Sequence, residues 1–424
     1  MSLTTKIGVA EVDITPPVGT MMAGSLNPRV SQGIEDPLYV KAIVLESGGK
    51  RLAYVIFDLV KFTRALGDRG IALASKLTGI PAENIVWSAS HTHTGPYLIQ
   101  TDNVVPVLNQ EWLVTMPDKM AACIAAADKA KVPANFCRLR SFHYGLGHNR
   151  RVILKNGQAI NTWNLAQVPE DLQSIGLAGP IDPEIGILSF DDAQGKLLAV
   201  MFNFALHANA NFGPKFSGDY PAVVAARLRE RFGPQVVTLF MPGACANINP
   251  IMSRQYRLVG DALSEKIIGA LETRQPRNIS LQLSSVKREV IVPRRDFSAG
   301  QEKKIADSGW SAESQKYFIR SLGSLRKEDK REDLTVLQAW RIGEIGFASL
   351  PGELFVELGL KIKRESPFKW TYPVELGGDS LGYLVTQKAS EEGGYEPLSK
   401  TAPRGVEIMV GNVLQMLQQL YNGA

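Results

Sequence analysis

Of the chain's five histidines, two fall in the hexapeptide His91-Thr92-His93-Thr94-Gly95-Pro96, directly after the apolar run Asn84-Ile85-Val86-Trp87-Ser88-Ala89-Ser90. A strand projects side chains i and i+2 to one side, so His91 and His93 both lean toward whatever lies beyond the strand's end. Two neutral imidazoles there can hold a divalent metal, or one can bind it while the other moves protons. The arrangement recurs where the apolar run 198–206 delivers His207 into the polar, glycine-bearing segment 208–219. A third strand end carries Met241-Pro242-Gly243-Ala244-Cys245-Ala246-Asn247-Ile248-Asn249-Pro250. A fourth carries Ser349-Leu350-Pro351-Gly352-Glu353, where the acid is expected to open a helix, a place that favours carboxylates on its own account. Taken together, His91, His207 and Glu353 at successive strand ends make the two-histidine, one-glutamate set of open zinc sites. Asp219 is expected to support a ligand histidine from behind, by a carboxylate–imidazole hydrogen bond. His143 and His148 lack such a context and are assigned to surface or packing.

The elements that must position these residues follow an α/β order. Strand signals cover 7–14, 41–46, 52–59, 84–90, 196–206 and 236–241. Helix signals cover 64–78, stopped by Gly79, then 111–130 and 221–232. Such alternation predicts an α/β fold with its site at the C-terminal ends of strands. Beyond residue 281 the pattern shifts to strands over 281–292, a charged helical region over 298–327, two strands around 336–349 and a helix over 353–364. A soft boundary is expected near 275–280. It divides one catalytic unit into an N-terminal α/β part, 1–278, and a C-terminal α/β part, 279–424, packed together. The chain carries no internal sequence repeat and no low-complexity linker.

Composition excludes several classes. With 424 residues, 45% hydrophobic and 21% charged, the chain can bury a large core. Lys+Arg 47 against Asp+Glu 42 leaves a scattered +5, and the densest charged stretch, 320–333, mixes both signs, so no nucleic-acid partner is expected. Three dispersed cysteines, Cys123, Cys137 and Cys245, are too few for a disulfide framework or a thiolate zinc site. No run approaches the roughly 18 apolar residues of a membrane span. No signal peptide precedes the first strand, which predicts a cytoplasmic protein acting on a small molecule. Oligomeric state leaves no mark in the sequence.

The chain resembles the neutral, non-lysosomal ceramidases and their bacterial relatives. The resemblance rests on Gly8-Val9-Ala10-Glu11-Val12-Asp13-Ile14-Thr15-Pro16, the His91 to Pro96 hexapeptide, Asn149-Arg150, and His207 with Ser217-Gly218-Asp219-Tyr220. It continues through the turn 243–250, Leu350-Pro351-Gly352-Glu353, Tyr383-Leu384-Val385-Thr386 and Gly394-Tyr395-Glu396, spanning nearly the whole chain. It implies a mixed-sheet catalytic fold and one zinc ion per chain, held by His91, His207, Glu353 and Tyr383. Tyr383 enters on the resemblance alone, being outside the usual zinc ligands. The resemblance also places His93, Arg150 and Tyr395 around the scissile carbonyl of an N-acyl amide or lipid-like substrate: His93 to relay a proton, Arg150 and Tyr395 to stabilise an oxyanion. Asn249 and Asn247 are expected to contact the substrate or brace the turn.

Two departures qualify the activity. Characterised ceramidases carry Gly-Asp-Val-Ser-Pro in the third turn, with the serine proposed to act in catalysis; here that position is Asn249. An amide is no nucleophile, which leaves metal-assisted attack by water. Those enzymes also continue into an immunoglobulin-like domain, whereas this sequence stops at Ala424, so zinc chemistry is expected without lipid-interface binding. Rival readings fare worse. Amidohydrolase barrels need further histidines, and Thr94-Gly95-Pro96 breaks the His-x-His-x-Asp-His pattern of metallo-β-lactamases. An esterase or lactonase on the same site, or a non-catalytic binding homologue, is the alternative to an amidase.

Overall fold

Strand Lys50–Phe57 buries both of its faces: Leu52, Tyr54 and Ile56 enter one apolar cluster, and Ala53, Val55 and Phe57 enter another. That is why it reads as an uninterrupted apolar run rather than an alternating one. The computed structural model describes residues 5–25, 28–98, 109–168, 170–297, 302, 305, 312–328 and 330–423. The same two-faced burial recurs in strands Leu197–Phe204 and Ile345–Ser349.

Each of these three strands is the centre of one repeating unit. A unit has three antiparallel strands, a helix, a fourth strand parallel to the third, and a closing helix. The first unit runs through strands Lys6–Asp13, Tyr39–Ser47 and Lys50–Phe57, helix Arg64–Thr78, strand Ile85–Ala89 and helix Met116–Lys129. The second uses strands Asn135–Phe142, Glu184–Asp191 and Leu197–Phe204, helix Asp219–Phe232, strand Val237–Pro242 and helix Tyr256–Glu272. The third uses strands Leu283–Pro293, Glu332–Ile342 and Ile345–Ser349, helix Val356–Glu365, strand Trp370–Val374 and helix Pro403–Tyr421. Repetition of topology without repetition of residues explains why the sequence gives no hint of it: burial on a pleated face asks for apolar character, not identity.

The inner faces of the three sheets meet in one core. Tyr54, Val86, Met201, Leu239, Trp340, Phe347 and Tyr372 belong to it, and the Tyr54 hydroxyl lies 2.5 Å from Ser88 Oγ. Each outer face is covered by its own helix pair, whose buried stripes supply Ile71, Met120 and Ile124, then Val224, Leu263 and Ile267, then Ile362, Met409 and Val413. The sheets are mixed, each pairing a parallel edge with antiparallel neighbours. The site therefore forms where the C-terminal ends of the parallel strands emerge.

Several local expectations change. The expected helix 111–130 is two helices, Gln110–Leu113 and Met116–Lys129, because Pro117 has no N–H to extend a helix across Val114-Thr115. Helix Arg64–Thr78 stands as read, with Thr63 as N-cap and Gly79 at φ 68 closing it. Of the charged helical region 298–327, residues 312–327 form a helix, while 298–301, 303–304 and 306–311 lie outside the described residues. Among the described residues, no helix is long and apolar enough to cross a membrane.

Candidate functional site

His91 leaves its strand at φ 66, a left-handed conformation that a residue other than glycine keeps only where its surroundings impose it. Its backbone N–H donates to Leu59 O at 2.9 Å, and its Nδ1 lies 2.8 Å from Val60 O, in the loop after strand Lys50–Phe57. The other two imidazoles are held the same way. His93 Nδ1 lies 2.8 Å from Gly24 O, and His207 Nδ1 lies 3.0 Å from Cys245 O. Gly24 has to be glycine, since it sits at φ 82 and a Cβ there would lie 2.5 Å from His93 Cβ. A carbonyl oxygen can only accept, so each Nδ1 carries the proton and each Nε2 presents a lone pair.

The three lone pairs converge. His91 Nε2 is 2.8 Å from His207 Nε2 and 3.4 Å from His93 Nε2, and the ligand atoms of all three lie within 4.8 Å of one another. Glu353 Oε2 stands 3.4 Å from His91 Nε2 and 4.0 Å from His207 Nε2, buried and without a hydrogen-bond donor of its own. Acceptors packed against acceptors are stable only around a positive charge, either a metal ion or a proton on His91, whose value Glu353 raises against the effect of burial. Burial, reinforced by the neighbouring His91, holds His93 down at about 3 and His207 well below the ordinary histidine value. Both are therefore neutral, each with a free lone pair at Nε2 that can bind a metal or take a proton. Burial works to raise Glu353, but His91 and Arg150 outweigh it and pull the carboxyl down to about 2. The donor set fits a divalent metal of borderline softness.

Glu353 opens no helix. Glu353–Leu354 is a two-residue strand paired in parallel with Tyr383–Leu384, so that Glu353 and Tyr383 are cross-strand partners; the helix starts only at Val356. Pro351-Gly352 explains the difference, as Gly352 packs against Gly382 O where a Cβ would sit at 2.4 Å, closing the two turns on each other. Burial and the nearby Glu353 push the Tyr383 phenol well above its ordinary value, so it gives up its proton only beside a cation. Its hydroxyl is 3.1 Å from that of Tyr395.

Tyr395 begins a polar wall next to the histidines. Arg150 Nη2 donates to Tyr395 OH at 2.5 Å, Nη1 to Asn249 Oδ1 at 3.2 Å and Nε to Glu396 Oε1 at 3.1 Å. Asn249 also accepts from Asn209 at 3.3 Å. Glu396, fully buried, receives Asn161 on the same Oε1 at 2.8 Å and Arg151 on Oε2 at 3.1 Å. Above this wall Trp163 is 51% exposed, with its ring 5.9 Å from Tyr395 and Arg150 5.6 Å beneath it. Phe318, from helix Ala312–Lys327, stands 5.9 Å from Tyr395 as well. Polar donors at the floor and aromatic rings at the rim suit a substrate with a polar centre and an apolar arm.

Thus His91, His93, His207 and Glu353 surround one point, with Tyr383, Tyr395, Arg150 and Asn249 in continuation. Asp219 is elsewhere. At φ 58 it accepts the N–H groups of Asn211 and Tyr220, both at 2.7 Å, and bonds no histidine. All three Nδ1 atoms already have backbone partners, which leaves a carboxylate nothing to support; Asp219 fastens the loop after His207 instead. Asn247 likewise faces away, its side chain receiving Val356 N–H and donating to Glu357, both at 2.9 Å, while its carbonyl accepts Arg150 N–H at 2.8 Å. The sequence reading assigned no role to Glu396 or Glu375. Glu396 lies inside the Gly394-Tyr395-Glu396 run, and only the fold reveals that it neutralises two consecutive arginines.

No protein-family profile matches the chain. It is 27% identical over 217 residues to the neutral ceramidase of Pseudomonas aeruginosa, a match covering 48% of this chain and 30% of that protein. The crystal structure of neutral ceramidase from Pseudomonas aeruginosa superposes with a TM-score of 0.77 over 99% of this chain and 75% of that one, at 18% identity. A structure of a ceramidase complexed with C2 gives the same TM-score of 0.77, with 99% and 76% covered. The chain is therefore similar in sequence to a neutral ceramidase over 48% of its length and shares that protein's mixed α/β fold over almost all of it.

Proposed function

We propose that the protein hydrolyses the amide bond of an N-acyl amine, using one zinc ion held by His91, His207, Glu353 and Tyr383. The observation that carries this reading is the convergence of imidazole lone pairs on the undonated Glu353 oxygen, next to a buried guanidinium. Zinc in such a set supplies Lewis acidity toward a carbonyl and acidifies water at neutral pH. The chain's own residues do the rest. Arg150 and the Tyr395 hydroxyl donate to the carbonyl oxygen as it gains negative charge, the buried guanidinium being already fixed by its hydrogen bonds to Tyr395, Asn249 and Glu396. His93, fixed by Gly24 through Nδ1, takes a proton at Nε2 and returns it to the departing amine nitrogen. Asn249 orients the Arg150 fork and bears no nucleophile, so a water molecule is the attacking group. Trp163 and Phe318 give an apolar acyl or alkyl arm a surface to lie on.

Elemental analysis should find one zinc per chain. A panel of N-acyl amides, esters and lactones should give amide turnover that a chelator abolishes and zinc restores. Turnover confined to esters or lactones would make the protein an esterase on this site, and bound zinc without turnover on any of the three would make it a binding protein.

A further inference from the structure

The segment Glu375-Leu376-Gly377, just after strand Trp370–Val374, touches all three units at once. Glu375 is fully buried; its Oε2 accepts the N–H groups of Leu354 at 3.0 Å and Cys245 at 3.2 Å, and its Oε1 faces the Cys245 thiol at 3.0 Å. Cys245 is the residue whose carbonyl receives His207 Nδ1, and Leu354 directly follows Glu353. Leu376 O accepts Ala89 N–H at 3.3 Å, two residues before His91, while its own N–H donates to Gly352 O at 3.1 Å, one residue before Glu353. One carboxylate and the next peptide thus tie together the turns that carry His91 and Glu353 and the turn at Cys245 whose carbonyl holds His207.

The backbone here is held under constraint. Leu376 sits at φ 55, and a Cβ on Gly377 would lie 2.0 Å from Ser349 Oγ and 2.9 Å from Trp87 O. A leucine in the left-handed region persists only where its surroundings over-determine it, and such constraint gathers where geometry serves a site. Simple core filling would need neither the carboxylate nor the strained peptide.

We propose that Glu375 is the positioning residue of this centre, setting the spacing of the three turns that carry or hold the ligands and through it the affinity and geometry of the bound metal, without itself touching the metal. The inference rests on the metal reading given above. Cobalt(II) titration of the full chain, followed by visible absorption, tests it. The unsubstituted protein should bind one cobalt per chain. Glu375→Gln keeps an oxygen for both backbone N–H groups and should bind within about threefold of that affinity, whereas Glu375→Asp withdraws the oxygens by one methylene and should weaken cobalt binding at least about tenfold and shift its visible band. The far-ultraviolet circular dichroism of metal-free Glu375→Asp should match that of the parent. Unaltered affinity and band in Glu375→Asp would overturn the proposal, as would an equal loss in Glu375→Gln, which would implicate charge rather than position. If Glu375→Asp does not fold, Leu376→Gly, which unlocks the turn without removing a polar atom, takes its place under the same expectation and the same overturning result. Failure of the parent itself to bind cobalt stoichiometrically would instead overturn the metal reading, and this inference with it.

Discussion

Arg150 and Arg151, consecutive in the chain, grip the two oxygens of one carboxylate: Arg150 Nε reaches Glu396 Oε1 and Arg151 Nη1 reaches Oε2, each at 3.1 Å. All three groups are buried. Removing the carboxylate strands two guanidinium groups away from water, so Glu396→Ala should cost about 3–5 kcal/mol of folding stability. Urea denaturation measures it. A cost below about 1 kcal/mol would show that Glu392, 3.4 Å from Arg151, and water compensate for the loss.

The two histidines of the hexapeptide should behave differently from each other and from His207. His207→Ala should lose metal, turnover and the stabilisation that bound metal confers, about 2.7 kcal/mol when metal exceeds its Kd a hundredfold. His93→Ala should keep the metal and lose turnover. Metal content and melting temperature, with and without zinc, separate the cases. An empty site in His93→Ala would make His93 a ligand and move the proton relay to another residue.

Asn249 accepts from Arg150 and Asn209 and has no chemistry of its own. Asn249→Ala should lower kcat/KM by about 1–2 kcal/mol of transition-state stabilisation, the value of a positioning hydrogen bond. Complete loss of turnover with metal retained would make Asn249 a participant in bond breaking.

Asp219 gives a signature in pH. Burial, only partly offset by the backbone N–H groups of Tyr220 and Asn211, raises its carboxyl from 3.8 to about 6. The folded state therefore holds a proton that the unfolded chain releases earlier, and ionising the group costs stability. That cost is absent below the unfolded value, grows as pH rises toward 6, and is complete above it. Asp219→Asn does not titrate. Its stability relative to the parent should improve by about 2 kcal/mol between pH 4.5 and pH 7.5, as read from denaturation curves at both pH values. A difference that stays constant with pH would show that Asp219 keeps an ordinary carboxyl.

Local signals were enough to locate the strands that end at His91 and His207, helix Arg64–Thr78 with Gly79 closing it, and residue types able to hold a metal. Period, capping and turn chemistry act over a few residues, so they are written into neighbouring positions. Contacts between distant segments are not. The pairing of Glu353 with Tyr383, the grip of Arg150 and Arg151 on Glu396, the backbone carbonyls behind each imidazole and the turn at Glu375 join positions as far apart as Ala89 and Leu376. The threefold topology is equally silent in the sequence, because the three sheets need matching apolar faces and connections rather than matching residues. The sequence by itself determined which chemistry the chain can offer; only tertiary packing decided which atoms meet, because burial and hydrogen-bond satisfaction are settled across the whole core at once.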